Sequence, residues 1–376
     1  MIIDADGHVI EPPAFWDEYF ERGSLYERRP RRVRDNNGNT RLMVDGELLP
    51  RRYGRWRGSG GGMAPERRRE GGWNPSKRLE DMDVEGIDVA VLFPSQLLAL
   101  PQVLDPALAL AMTKAQHRWL ADYCKASPAR LKGIATLALQ DVAGAVKELE
   151  RCVTRSGFVG AYVPPNLQGR NLDDPAFEPV WEACESLDVP VLVHPGPGLN
   201  AAGTERMDNF FYVHSVQFPF ENMIALMTMI GGGVFDRHPQ LRACYLESGC
   251  GWVPYWADRL NDQAALDKYG MKLLPRPLKQ KPSDYVRSQC WFSCDPGEEM
   301  VPYVLAAVGG ERIVFASDYS HFDSKFPQTV AGVRAIAGLS PAAANRIFEG
   351  NALSLFGKRL ADALPEVTRC GRNTAG

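Results

Sequence analysis

The residues best able to do chemistry in this chain stand at the ends of short apolar runs. Asp6 and His8 follow Ile2-Ile3, His194 closes Val191-Leu192-Val193, Glu247 closes Ala243-Cys244-Tyr245-Leu246, and Asp318 closes Val314-Phe315-Ala316-Ser317. One Asp-x-His triplet says little, because a lone histidine at a strand end is more often a satisfied structural residue. Repetition of the placement carries the signal. Carboxylates and imidazoles gathered in one small mouth cost several kcal/mol per buried charge unless they are paired or bound to a cation. The expectation is a divalent metal site with Asp6, His8, His194, Glu247 and Asp318 as ligands. Alternation along a strand places Asp4 on the same face as Asp6 and His8, where it is expected to orient the ligands.

Elements that bring such residues together must be short parallel strands with helices between them. The runs Ile2–Asp6, Val89–Pro94, Leu131–Leu137, Val159–Val163, Val189–His194, Arg242–Glu247, Cys290–Cys294 and Ile313–Ser317 have the length and composition of buried strands. Helical patterns separate them at Pro75–Gly86, Asp105–Ser127, Asp141–Arg155, Asp174–Leu187, Trp252–Lys268, Glu298–Val308 and Ser340–Phe356. No GxGxxG follows the first run, so an α/β fold of the (β/α)8 TIM-barrel type is expected rather than an open dinucleotide-binding sheet. Two long segments, Pro12–Asn74 and Gly196–Gln217, read as loops on the C-terminal face. One domain over 1–358, with an insertion at about 12–74 and an irregular tail at 359–376, is the expected organisation.

Net charge is −3 over 376 residues, which gives the whole molecule no electrostatic reason to bind nucleic acid. The insertion differs: Arg22 to Arg69 holds fourteen arginines, no lysine and five acids, a local charge of +9. It reads as a solvated flap with a disordered centre at Gly58–Met63, or as a site for an acidic or phosphate-bearing substrate such as a coenzyme A ester. No run is long and apolar enough to span a membrane, and Met1-Ile2-Ile3 leads into Asp4 without a signal-peptide pattern. Eight scattered cysteines read as mostly buried free thiols, and a cytoplasmic protein is expected. Further histidines and acids near the mouth are His321, three residues after Asp318, Glu11, and His214 in the second long segment. His321, His214 and Glu11 are candidates for substrate or ligand contact, whereas His117 and His238 read as structural.

The chain resembles the amidohydrolase-related barrels similar to aminocarboxymuconate-semialdehyde decarboxylase. The resemblance rests on Ile3-Asp4-Ala5-Asp6-Gly7-His8 with Glu11-Pro12, Val193-His194-Pro195, and Asp236-Arg237-His238-Pro239. It also rests on Glu247-Ser248-Gly249-Cys250-Gly251-Trp252, Ser317-Asp318-Tyr319-Ser320-His321 and Gly350-Asn351-Ala352. It implies a metal held at Asp6, His8, His194 and Asp318, and a homodimer. Two departures stand out: Asp6 replaces the first His of an HxH pair, and Glu247 replaces a catalytic His at the end of the sixth strand. Five ligands exceed what one tetrahedral zinc uses. Three oxygens and two nitrogens favour iron or manganese over zinc, as one ion or two.

The loss of that His points the expected function to metal-dependent hydrolysis of an ester, thioester or amide of a small acidic or CoA-linked substrate. Asp318 or Glu247 would act as general base, with His321 steadying an oxyanion. The alternatives are a non-oxidative decarboxylase or C–C hydrolase of a small aromatic or enol acid, and a non-catalytic binding protein on the same fold.

Overall fold

Every apolar run read as a strand contains strand structure in the computed structural model of the chain, which describes residues 1–36, 40–51, 69–197 and 202–364. The first strand, β1 (Ile3–Val9), is buried along its length. A small antiparallel sheet follows, made of β2 (Arg31–Arg34), β3 (Thr40–Val44) and β4 (Glu47–Leu49). The described part of the arginine-rich segment therefore has structure of its own, while Gly58–Met63 lies outside the described residues.

Next come β5 (Val89–Pro94), β6 (Leu131–Gly133), β7 (Ala135–Thr136) and β8 (Ala161–Val163). After a two-residue hairpin pair, β9 (Asn166–Leu167) and β10 (Arg170–Asn171), the chain continues through β11 (Val191–Val193), β12 (Ala243–Tyr245), β13 (Cys290–Cys294) and β14 (Ile313–Phe315). Pairing is parallel in the order β1-β5-β6 in one sheet and β14-β13-β12-β11-β8-β7 in the other. The third apolar run is thus split at Ile134, and its halves belong to different sheets. Backbone bonds cross the split, Val159 N to Gly133 O at 3.0 Å and Ala135 N to Gly160 O at 2.8 Å. At the other side Asp318 N donates to Asp6 O at 3.0 Å, linking the residues just beyond β14 to β1.

Burial on both faces explains why these strands are apolar throughout. Ala90, Leu92, Val191, Val193 and Phe292 belong to one large cluster with the helices, whereas a second cluster gathers Ile3, Val91, Ile134, Tyr162, Leu192, Cys244, Trp291 and Val314. That second cluster draws on β1, β5, β8, β11, β12, β13 and β14, and on Ile134 between β6 and β7. Four of the helix starts read from the sequence are capped as expected: Asn74 accepts from Ser76 N, Asp105 from Ala107 N, Asp141 from Gly144 N, and Ser340 from Ala343 N. Helix Pro75–Glu85 ends on Gly86 at φ 72°, the left-handed stop that glycine adopts without penalty.

The structure corrects two element expectations. Gly196–Gln217 is not a loop throughout, since Phe210–Gly231 is a single helix capped by Asn209. The last helix, Asn351–Ala361, buries Leu360 and so continues past the point where an irregular tail was expected; 365–376 lie outside the described residues. Seven cysteines are free thiols, Cys124 half-buried and the rest buried. Among the described residues no helix is long and apolar enough to cross a membrane.

Candidate metal centre

A bulge in β1 sets the site. Asp4 pairs with Ala90 and Gly7 with Leu92, so one extra residue lies between them on β1. The shift breaks the alternation expected for Asp4, Asp6 and His8. Asp4 turns to the β14 side, where Ser317 N (2.9 Å) and Ser317 Oγ (2.6 Å) donate to it and the Arg78 guanidinium lies 3.9 Å away. Asp6 and His8 turn instead to the other expected ligands.

His8 Nε2 is 3.2 Å from His194 Nε2, 3.5 Å from Asp6 Oδ1 and 3.7 Å from Asp318 Oδ1. His194 Nε2 lies 3.6 Å from Asp6 Oδ1 and 2.9 Å from Glu247 Oε2. All five residues singled out from the sequence therefore meet. They come from the ends of β1, β11, β12 and β14. Glu247 (φ 52°) and Asp318 (φ 50°) leave their strands in the left-handed region, which turns their side chains away from simple strand alternation.

The donor set fits a divalent cation. Asp6 Oδ1, Glu247 Oε2 and Asp318 Oδ1 are shielded from solvent, and none has a hydrogen-bond partner. The 2.9 Å contact of Glu247 with His194 fails hydrogen-bond geometry, so these oxygens point at a shared space rather than at ring N–H groups. Each imidazole is tied outward at its other nitrogen, His8 Nδ1 to Pro94 O at 3.2 Å and His194 Nδ1 to Pro195 O at 2.5 Å. That leaves both Nε2 lone pairs facing inward, the arrangement of metal-bound histidines. Burial drives both imidazoles toward the neutral form: His8 falls well below the usual histidine value and His194 falls too. The same burial pushes the carboxyls of Asp6, Glu247 and Asp318 up. Oxygen and imidazole donors in this ratio suit manganese or iron.

Other predicted residues separate into neighbours and outsiders. His321 is a neighbour: its ring stacks on His8 at 3.9 Å, and its Nδ1 lies 2.8 Å from Asp318 Oδ1. Glu11 is buried but turned away, its Oε2 accepting from Gln96 N at 3.0 Å. His214 sits on the helix Phe210–Gly231 among Phe210, Phe218 and Phe322, 3.6 Å from Asp323, outside the donor cluster. His117 has both ring nitrogens occupied, by Glu148 at 2.8 Å and by Thr136 N at 2.9 Å, so its cluster with Glu148 and Cys152 is structural. Ser95 was missed: its Oγ lies 3.0 Å from His321 Nε2. It follows β5 directly, the same strand-end position that marked the ligands, but a serine does not break an apolar run as a charge does.

Three of the described arginines of the insertion are engaged with acids of the chain. Arg28 contacts Asp45 and Asp105, Arg29 contacts Asp17 at 2.6 Å, and Arg41 contacts Asp35 at 3.3 Å.

Comparison with known proteins bears on the reaction. The chain is 28% identical over 299 residues to 2-amino-3-carboxymuconate-6-semialdehyde decarboxylase of Dictyostelium discoideum, covering 76% of this chain and 77% of the relative. It is 28% identical over 296 residues to gamma-resorcylate decarboxylase of Polaromonas sp. strain JS666, covering 74% and 86%. The crystal structure of a dihydroxybenzoic acid decarboxylase from Polaromonas sp. JS666, with bound manganese and the inhibitor 2-nitroresorcinol, shares the fold at a TM-score of 0.65. Identity there is 21%, and 94% of this chain and 96% of the other are covered. These relatives are decarboxylases, which overturns the expectation of ester, thioester or amide hydrolysis drawn from the loss of the strand-end histidine. That inference weighed one residue against a scaffold whose remaining ligands are in place. Residues 3–358 match the family described as Amidohydrolase, and the chain belongs to the amidohydrolase family.

Proposed function

We propose that the chain is a metal-dependent, non-oxidative decarboxylase of a small aromatic or enol acid, with residues 1–358 forming one closed (β/α)8 barrel. The observation that carries this reading is the convergence of Asp6, His8, His194, Glu247 and Asp318 with inward-facing, unpartnered donor atoms, in a chain whose relatives are decarboxylases. The apolar cluster drawn from seven parallel strands and from Ile134 between β6 and β7, and the backbone bond from Asp318 to Asp6, support a closed barrel.

Asp6, His8 and His194 would hold the ion, with Glu247 and Asp318 completing its shell. When bound, a divalent ion such as manganese supplies Lewis-acid stabilisation for negative charge developing on the substrate's oxygens. The chain's own groups do the rest. The bond between the substrate carbon and its carboxylate breaks, carbon dioxide leaves, and the electron pair stays on the carbon. Asp318 delivers a proton to that carbon. His321 Nδ1, 2.8 Å from Asp318 Oδ1, steadies the carboxylate left behind. Phe93 and Tyr162, whose rings lie 5.4 Å and 6.0 Å from that of His194, keep the floor of the site dry. Glu247, where the family resemblance implies a histidine, serves as ligand rather than as neutral base.

The test is carbon dioxide release by manganese-loaded protein from gamma-resorcylate, from 2-amino-3-carboxymuconate-6-semialdehyde and from a panel of related acids. Release that stops on chelation and drops at least about a hundredfold in Asp318→Asn is expected. Activity that survives chelation, or a panel giving no carbon dioxide, would end this reading.

A further inference from the structure

Tyr162 carries a hydroxyl for which the fold supplies no partner. It is the middle residue of β8, is 1% exposed, and belongs to the second apolar cluster. Its ring borders the metal centre: it stands edge-on to His194, with centroids 6.0 Å apart and planes at 85°, and to Phe93 at 6.2 Å and 68°. Glu247 lies within electrostatic reach of the hydroxyl. Tyr162 also lines a crevice whose walls include Leu100, Pro101, Leu137, Leu139, Pro164 and Leu167. The hydroxyl oxygen is shielded from solvent and has no hydrogen-bond partner among the described residues.

A buried hydroxyl left unpaired is costly, and phenylalanine would fill the same space without that cost. Packing does not call for the oxygen, and the strand is held by its main chain, where Leu137 N donates to Tyr162 O at 3.0 Å. A bridging water needs roughly two to four polar partners. The crevice offers hydrocarbon side chains except at Gln140, whose amide nitrogen already donates to Leu100 O and Val103 O, 2.9 Å each. A ligand of the metal centre is the partner that fits. The phenol O–H is a donor and seeks an acceptor. In an aromatic acid with hydroxyls on both carbons beside the carboxylate, each hydroxyl gives its hydrogen to the carboxylate and keeps lone pairs free to accept.

We propose that Tyr162 is a specificity-determining residue: its O–H donates to a ring oxygen beside the scissile carboxylate, and so selects aromatic acids with two flanking hydroxyls over those with one. The proposal rests on the decarboxylase reading for the identity of the ligand, but the hydroxyl's readiness to bind does not. A methyl group in place of the second hydroxyl occupies about the same volume and offers no acceptor. Such an analogue leaves the Tyr162 O–H buried and unpaired, which is how a polar group in a dry site discriminates.

Binding reads this contact without turnover. 2-Nitroresorcinol carries a nitro group between two hydroxyls, and 3-methyl-2-nitrophenol has a methyl in place of one of them. Calorimetric titration of manganese-loaded wild type is expected to give a Kd about tenfold lower for 2-nitroresorcinol, the weight of one hydrogen bond. Tyr162→Phe is expected to weaken 2-nitroresorcinol alone and bring the two within about twofold of each other. Without ligand, Tyr162→Phe should keep the wild-type Tm and metal content, since no group of the fold loses a partner. The same pattern is expected in kcat/KM for gamma-resorcylate against 2-hydroxy-6-methylbenzoate. No binding of 2-nitroresorcinol, no preference in the wild type, a preference that survives in Tyr162→Phe, equal losses for both ligands, or a lowered Tm or metal content would each overturn the proposal. A protein that binds with the expected preference yet releases no carbon dioxide from any acid would sink the decarboxylase reading and leave the Tyr162 contact standing.

Discussion

Glu11 shows what one buried acid costs. Its side chain is fully buried, Oε1 has no hydrogen-bond partner, and burial pushes its carboxyl up to about 7, against the smaller opposing pull of bonds from the 95–96 backbone and the charge of Arg32. A raised carboxyl holds its proton more tightly in the folded chain. Stability is therefore greatest below about 4.5, where folded and unfolded chains are both protonated, and falls as pH rises toward 7. The loss amounts to about 3 kcal/mol at most. Glu11→Gln is expected to stabilise the protein in urea unfolding at pH 8 and to make no difference at pH 4. A gain of equal size at both pH values would mean that ionisation is not the cost. At this scale the sequence was informative wherever chemistry interrupts hydrophobicity. Asp6, His8, His194, Glu247 and Asp318 each break an apolar run, and each reaches the site. Ser95 breaks nothing and was invisible. Asp4 was misplaced, because alternation cannot foresee a bulge that depends on how β1 pairs with β5.

At the scale of elements, the seam between β1 and the residues after β14 rests on few polar groups. Ser317 Oγ donates to Asp4 Oδ2 at 2.6 Å and accepts from Tyr319 N at 3.0 Å. Asp4 sits buried with its carboxyl pushed up to about 6 by burial, despite Arg78 and the bonds from Ser317. Removing the hydroxyl leaves a buried acceptor and a buried donor short of partners. Ser317→Ala is thus expected to destabilise the chain by about 2 kcal/mol in urea unfolding; a change below about 0.5 kcal/mol would show that the seam is held elsewhere. Strands and capped helices were readable because period and caps are local. The helix Phe210–Gly231 was not. It opens on Phe210, Phe211 and Tyr212, carries Pro219 inside, and leaves Phe211, Tyr212 and Phe220 exposed, so its apolar residues mark no single face. Only its packing makes it helical, and His214 was therefore assigned to a loop.

For the molecule as a whole, folding and ion binding are linked. Three shielded carboxylate oxygens lie together without hydrogen-bond partners, so an ion that binds them in the folded chain alone adds stability by mass action. Manganese at about a hundred times its dissociation constant should add about 2.7 kcal/mol and raise Tm by several degrees. The same addition to His8→Ala should shift Tm far less, and equal shifts in the two proteins would place the bound ion elsewhere. Fold class was legible at this scale from the alternation of runs and helices, whereas the reaction was not, since specificity depends on loops whose contacts sequence does not show. The left-handed backbone at Glu247 and Asp318 has an evolutionary consequence. Side chains pay about 1 kcal/mol or more to sit there, and asparagine or glycine would sit there with less strain. A copy of this gene freed from the demand for turnover would drift toward those residues, growing sturdier as it became inert.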